Sequence, residues 1–199
     1  MLERDKTLIL FGRSPFINDI SQYIPTLCQK YHTMGCNYFC DSFPQVEYVI
    51  FFDDLVPKVC PHHTIITNIE YAQNRNAECY ELLNSHPQCE LYKIVRLYAF
   101  SQKPGELHMC IHTPSLGLNW AYLKGFKNVV LAGIDLTLQN ILHFDKDTTP
   151  DADSHDFNQS AIIHARLHLE KIASAYLNIF QLNPDSDIKI PKITISDLL

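Results

Sequence analysis

The chain has 199 residues, 46% of them hydrophobic and 19% charged, the balance of a globular domain rather than a disordered or fibrous one. A net charge of −6 and a pI near 5.9 argue against a nucleic-acid binder, which needs a basic footprint, but leave room for an anionic small ligand held by a few local groups. No apolar run approaches the ~18 residues of a membrane span, and the short apolar run after the charged start is too brief for a signal-peptide core. Seven cysteines, an odd number with no CxxC pair, predict reduced thiols and a cytoplasmic protein.

Residues 7–11 are an apolar run ending in Gly12-Arg13-Ser14-Pro15, which predicts a first strand, a tight turn and a short helix through Ile24. A glycine turn between a first strand and a helix is the usual place to meet a phosphate or nucleotide. Arg13 there is either a bidentate phosphate ligand or a solvent-exposed turn residue. Residues 31–39 read as a second strand, with Asn37 where it runs out, and 46–52 as a third that closes on Asp53-Asp54. Two carboxylates at a strand end can hold a divalent cation with a nucleotide diphosphate, or simply begin a turn. Cys60-Pro61-His62-His63 looks metal-like but has no second ligand pair at a familiar spacing. Residues 64–69 predict a fourth strand. Residues 69–85 predict a helix with Tyr71, Cys79, Leu82 and Leu83 on its apolar side, residues 91–100 another strand, and 101–106 a turn. His108, Cys110 and His112 alternate, so on a strand they would share one face.

The stretch from 107 to 136 organises the rest. Thr113 is a good N-cap, Pro114 suits the first helical position, and Leu116, Trp120 and Leu123 recur at helical spacing up to Gly125, a helix stop. Residues 128–132 are continuously apolar, as in a strand covered on both faces, and Gly133, Ile134 and Asp135 follow at its carboxyl end. In open α/β sheets ligands bind beyond the carboxyl ends of strands, so Thr113, Ser115 and Asp135 could face one crevice. Residues 137–158 are acidic and rich in turn formers, which predicts a lid-like loop. A helix is expected over 158–175, with Ile162, Ile163, Leu167, Leu169 and Ile172 buried and His164 and His168 facing solvent or a partner. A further strand covers 176–182. The sum is a single α/β domain over 1–199, a mostly parallel, Rossmann-like sheet with helices on both faces and a lid at 137–158.

The combination of a strand–Gly turn at the start, Asn at the end of the second strand, and helix–strand–GID in the middle resembles the bacterial lipooligosaccharide sialyltransferases of glycosyltransferase family 42. The likeness is best in LILFGRSPFI, GCNYF, YLKGFKNVVLAGID and HLEKIASAYLNIFQLNPDS. It implies a cytoplasmic, metal-independent, inverting transferase that moves a sialic acid or related nonulosonic acid from a CMP-sugar donor to a glycan acceptor. No cofactor and no nucleic acid are implied, and peripheral membrane association and homo-oligomerisation are left open.

Residue by residue, Gly12 and Pro15 match the family's first turn, Arg13 and Ser14 stand at donor-contacting positions, and Arg13 replaces an Asn. Asn37 matches an Asn at the nucleotide, and Asp53 stands where the family has another Asn. The family's T-S-G helix start aligns with His112-Thr113-Pro114, keeping only the hydroxyl of Thr113. Gly133 and Asp135 match, while Leu136-Thr137 replaces an aromatic pair. The lid resembles the family in Phe144-Asp145 and Ser154-His155. The family's base falls at Asn158 or Gln159, which makes His155 the nearest catalytic substitute. The lid tyrosines and the C-terminal extension of the family have no counterpart. Those departures support an alternative, a sialyltransferase-like domain that binds a nucleotide or partner without catalysis. A third reading is a metal-dependent nucleotide enzyme built on Asp53 and Asp54.

Overall fold

The computed structural model describes residues 2–52, 57–70, 77–110, 112–136 and 155–199, the side chains of 77 and 155–158 excepted. The eight strands described are β1 (Thr7–Phe11), β2 (His32–Cys36), β3 (Tyr48–Ile50), β4 (Thr64–Asn68), β5 (Cys89–Val95), β6 (Glu106–His108), β7 (Asn128–Ala132) and β8 (Asn178–Gln181). They lie in the order β6-β5-β4-β3-β2-β1-β7-β8, and every pairing is parallel. The helices are α1 (Phe16–Ile20), α2 (Ile24–Lys30), α3 (Phe39–Ser42), α4 (Ala77–Ser85), α5 (Thr113–Leu123), α6 (His155–Leu167) and α7 (Ile195–Leu198).

Strand alternation builds two cores, one on each face of the sheet. Leu8, Leu10, Val129 and Leu131 point to one, with Trp120 of α5 and Leu169 beyond α6; Ile9, Phe11, Val130 and Ala132 point to the other, with Ile17, Ile24 and Leu27 of α1 and α2. β1 is buried along its whole length, as a central strand covered on both faces must be. Gly117 of α5 seats the helix on the sheet, since a Cβ there would come within 2.9 Å of Leu10 and 3.1 Å of the Met34 sulfur.

β1, β7 and the end of α5 lie where the sequence pattern puts them, and Gly125 has the left-handed φ (+88°) of a helix stop. Other boundaries move for local reasons. Pro25 cannot donate a helical hydrogen bond, so the first helix breaks and restarts as α2, which runs on to Lys30 rather than ending at Ile24. β2 stops at Cys36 because Asn37 turns left-handed (φ +55°), and Phe39 opens α3 instead of continuing the strand. Only Tyr48–Ile50 of the third apolar run is ladder-paired, although Phe51 and Phe52 stay buried. The alternating His108, Cys110 and His112 do not share a strand face, since β6 ends at His108 and His112 caps α5. Helix α6 begins at His155, so 155–158 are helical rather than loop; 137–154 lie outside the described residues, as do Tyr71, Asp53 and Asp54. Ile163 and Leu167 are each 48% exposed, on the outer side of α6 and not the buried one.

Candidate functional site

The chain leaves β1 toward β2 and returns to the other side of β1 as β7, so the connections diverge between β1 and β7. The carboxyl ends of the two strands border the crevice position at which open α/β sheets bind ligands. The turns after β1 and β7 interlock there. Gly12 N donates to Ala132 O (2.8 Å) and Ser14 N to Gly133 O (3.0 Å). A Cβ on Gly12 would sit 2.3 Å from the Gly133 carbonyl oxygen, so no side chain fits. Gly133 adopts φ +69°, a conformation open to glycine.

Side chains close the same contact. The Ser14 hydroxyl donates to Asp135 Oδ2 across the crevice. Asp135 Oδ1 is buried near Asn183 with no well-formed hydrogen bond among the described residues, and burial pushes the carboxyl above the usual carboxylate range against the Ser14 hydrogen bond. One strand over, Asn37 donates its backbone N–H to Ile50 O (2.9 Å) while its Oδ1 is buried without a partner among the described residues. The Arg13 guanidinium lies over the Tyr38 ring, 5.4 Å from its centroid. Pro15 is exposed and caps α1. Leu136, next after Asp135, takes the left-handed region (φ +48°) without being glycine, a strained position of the kind found at functional sites.

The start of α5 differs from expectation. His112, not Thr113, is the N-cap, and its Nδ1 accepts from Ser115 N (3.1 Å). Thr113 is the first helical residue and is buried. The Ser115 hydroxyl, fully buried, is committed to the loop before the helix: it donates to His112 O (2.7 Å) and accepts from Cys110 N (2.9 Å). His168 is 1% exposed rather than surface-facing, and burial pushes it down to about 4; His112 is pushed to about 4 as well, by burial and by nearby His168. Asp53 and the side chain of His155 lie outside the described residues.

Several supports carried no sequence signal. The buried Gln181 of β8 donates to Ile134 O (3.0 Å) and to Ser186 Oγ (3.1 Å), and Ser186 Oγ donates to Asp135 O (3.3 Å), so the β8 end holds the β7 turn. Arg166 of α6 donates to Leu136 O (2.7 Å).

Cys60, His62 and His63 cluster at the opposite, amino-terminal edge of the sheet, with ligand atoms within 4.8 Å of one another, the one such group among the described residues. His63 Nδ1 accepts from Cys60 N (2.9 Å), which puts its proton on Nε2, and that N–H donates to Pro44 O (2.9 Å). His63 therefore has no lone pair left for a metal in this arrangement.

The sequence matches no family model and no curated protein. Among solved structures, the fold is similar to the MAf glycosyltransferase of Magnetospirillum magneticum AMB-1, with a TM-score of 0.65 and 15% identity over 99% of this chain and 34% of that one. The chain thus spans about a third of that protein's length. A weaker likeness, with a TM-score of 0.45 and 14% identity over 92% of this chain and 77% of that one, is to the monofunctional α-2,3-sialyltransferase Cst-I of Campylobacter jejuni. Among the described residues no helix is long and apolar enough to cross a membrane.

Proposed function

We propose that the chain is the nucleotide-sugar-binding unit of a glycosyltransferase, and that its donor is a CMP-linked sialic acid or related nonulosonic acid. The observation that carries the reading is the β1/β7 crevice. Two backbone turns meet there with no room for a Cβ, and Asn37 Oδ1 and Asp135 Oδ1, buried without a well-formed hydrogen bond among the described residues, lie at the neighbouring strand ends. A glycine turn between a first strand and a helix suits a phosphate, and buried acceptors suit the hydroxyl and amino groups of a nucleotide. The fold likeness to a glycosyltransferase supports the same class.

Sugar transfer from a CMP donor passes through an oxocarbenium-like state. It needs hydrogen-bond donors for the leaving phosphate and a base for the acceptor hydroxyl. Arg13 is the phosphate ligand in this reading, the Gly12 and Ser14 amides being taken by Ala132 O and Gly133 O, and His155, at the first position of α6, is the base. Metal independence, inversion, a lipooligosaccharide-type glycan acceptor and cytoplasmic residence belong to the same proposal.

The test is calorimetric titration with CMP, UDP and GDP, with and without chelator, followed by turnover of CMP-N-acetylneuraminic acid. Selective, chelator-insensitive CMP binding that Asn37→Ala weakens is expected. Binding of UDP or GDP that requires metal would overturn the reading. CMP binding without turnover, unchanged by His155→Ala, would leave a ligand-binding domain that does not transfer.

A further inference from the structure

A cavity of about 540 Å³ opens at the β5–β6 edge of the sheet, inside the ~300–1,000 Å³ range of small-molecule sites. β6 lies five strand spacings from β1, roughly 24 Å at ~4.8 Å per strand, so this is not the β1/β7 crevice. Register puts Lys93 beside Glu106 and Val95 beside His108, and side chains alternate along a strand, so all four stand on one face. The β5–β6 connection brings Leu97, Ser101 and Lys103 to the same cavity.

The polar side of the cavity is fixed by the fold. Asn119 of α5, fully buried, accepts from Ser101 N (3.0 Å) and His108 N (2.8 Å) and donates to Ser101 O (3.0 Å). Glu106 Oε1 accepts from Ser101 Oγ (3.3 Å) and His108 Nε2 (3.0 Å). One buried amide and one carboxylate thus tie the connection to β6, so these groups are in place before a ligand arrives.

The hydrogen bond from His108, with Lys103 nearby, holds the Glu106 carboxyl below the usual carboxylate range, so it is ionised at neutral pH. Its other oxygen, Oε2, has no hydrogen bond among the described residues and is left to accept. Lys93 and Lys103 line the cavity as exposed residues, and neither has an ion pair among the described residues. Two ammonium groups against one carboxylate leave an excess of positive charge here, in a chain of net charge −6. Val95 and Leu97 supply apolar surface. Phe100, 5% exposed and stacked on Tyr176, has no open ring face for a nucleotide base. The cavity therefore asks for hydroxyls to meet Glu106, an anionic group to meet the lysines, and C–H surface to meet Val95 and Leu97. A sugar ring carrying a carboxylate or phosphate has all three. A bare anion has only the second, and a neutral sugar lacks it.

We propose that the β5–β6 cavity is a second ligand site, one that binds an acidic sugar through hydroxyls on Glu106 Oε2 and a carboxylate or phosphate on the ammonium groups of Lys93 and Lys103. The site is separate from the donor crevice and does not depend on what that crevice binds. A residue within a glycan and a free sugar phosphate share this chemistry.

The test follows backbone 1H–15N shifts of the full chain during titration with methyl glucuronide, glucose 1-phosphate, methyl glucoside and inorganic phosphate. Shifts at Ser101, Glu106 and His108 are expected with the two acidic sugars, at affinities at least tenfold above those of methyl glucoside and inorganic phosphate. Tighter binding of methyl glucuronide assigns the site to a glycan residue, and tighter binding of glucose 1-phosphate assigns it to a free sugar phosphate. In the double variant Lys93→Gln/Lys103→Gln, which changes two exposed side chains, the preference for acidic over neutral sugar disappears. The inference is overturned if none of the sugars moves these three residues, if inorganic phosphate binds as tightly as the acidic sugars, or if the preference survives the double variant. No nucleotide enters the titration, so a failure to bind CMP, which removes the proposed donor, leaves these outcomes unchanged.

Discussion

Alanine at Gly12 probes the contact on which the crevice rests. Its Cβ would lie 2.3 Å from Gly133 O and 2.5 Å from Ile134 Cγ1. The first neighbour is backbone that itself accepts a hydrogen bond from Ser14 N, so relief requires the β1 and β7 turns to part. Overpacking a well-filled site costs ~1–3 kcal/mol, and a backbone neighbour puts Gly12→Ala at the upper end, about 2–3 kcal/mol. Gly133→Ala meets Ile17 Cγ1 at 2.6 Å and also forces a left-handed φ of +69° on an L-residue. With ~1–2 kcal/mol for that conformation added to the clash, roughly 3–5 kcal/mol is expected. Gly125→Ala isolates the conformational part, since φ is +88° with nothing within 4 Å, and should cost about 1–2 kcal/mol. For a chain of this size each kcal/mol lowers the melting temperature by ~2–4 °C. Urea titrations of the three variants should therefore rank Gly133 above Gly12 above Gly125. The double variant at 12 and 133 should fall short of the sum by ~0.5–3 kcal/mol, because parting the turns once relieves both clashes. CMP binding should be lost in Gly12→Ala and kept in Gly125→Ala. A Gly12→Ala protein within ~0.5 kcal/mol of wild type would refute the interlocked-turn account, since that is the range of an ordinary surface change.

Two further outcomes follow from the buried titratable groups. Burial raises the Asp135 carboxyl, so the ionised form opposes folding at neutral pH and its cost fades as pH falls through the raised value. Asp135→Asn should thus melt higher, while losing CMP affinity; a lower melting point would show that the charge itself holds the turn. His168, pushed down to about 4 from an ordinary value near 6.5, is neutral when folded while the unfolded chain binds a proton below 6.5. Stability should therefore decline as pH falls from 6.5 to 4, by up to ~1.4 kcal/mol per pH unit from this group, and level off below. Thermal melts at pH 7 and pH 5 should show a smaller drop for His168→Phe than for wild type, and equal drops would remove His168 as the source.

The parts of the fold that sequence reasoning reached are those fixed by local pattern. The apolar runs at β1 and β7 can only be buried parallel strands, and Gly12, Asn37 and Gly133 mark turns that the backbone itself demands. What escaped depends on residues far apart in sequence. His168 reads as a surface position on a helical wheel, and it is the Phe100 ring, brought from the β5–β6 connection, that buries it. The N-cap falls on His112 rather than Thr113 because the His112 imidazole Nδ1 accepts from Ser115 N, and histidine is not among the residues that a sequence scan for N-caps looks for. Gln181 and Arg166 support the crevice from β8 and α6 by bonds to backbone carbonyls, which leave no pattern in sequence. Asp53, Asp54 and the His155 side chain lie outside the described residues, so their sequence reading stands as stated.

The pairing of β1 with β7 also sets a timetable for synthesis. Ser14 and Asp135, whose side chains meet in the crevice, are 121 residues apart in the chain. At a ribosomal pace of ~5–20 residues per second, roughly 6–24 s pass between the emergence of one and the other. Throughout that interval β2 can cover one edge of β1, but the opposite edge, with its N–H and C=O groups unpaired, has no strand beside it. A nascent chain stalled before β7 would present that bare edge to its neighbours on the polysome, so the interval before β7 arrives is when this protein most needs a chaperone.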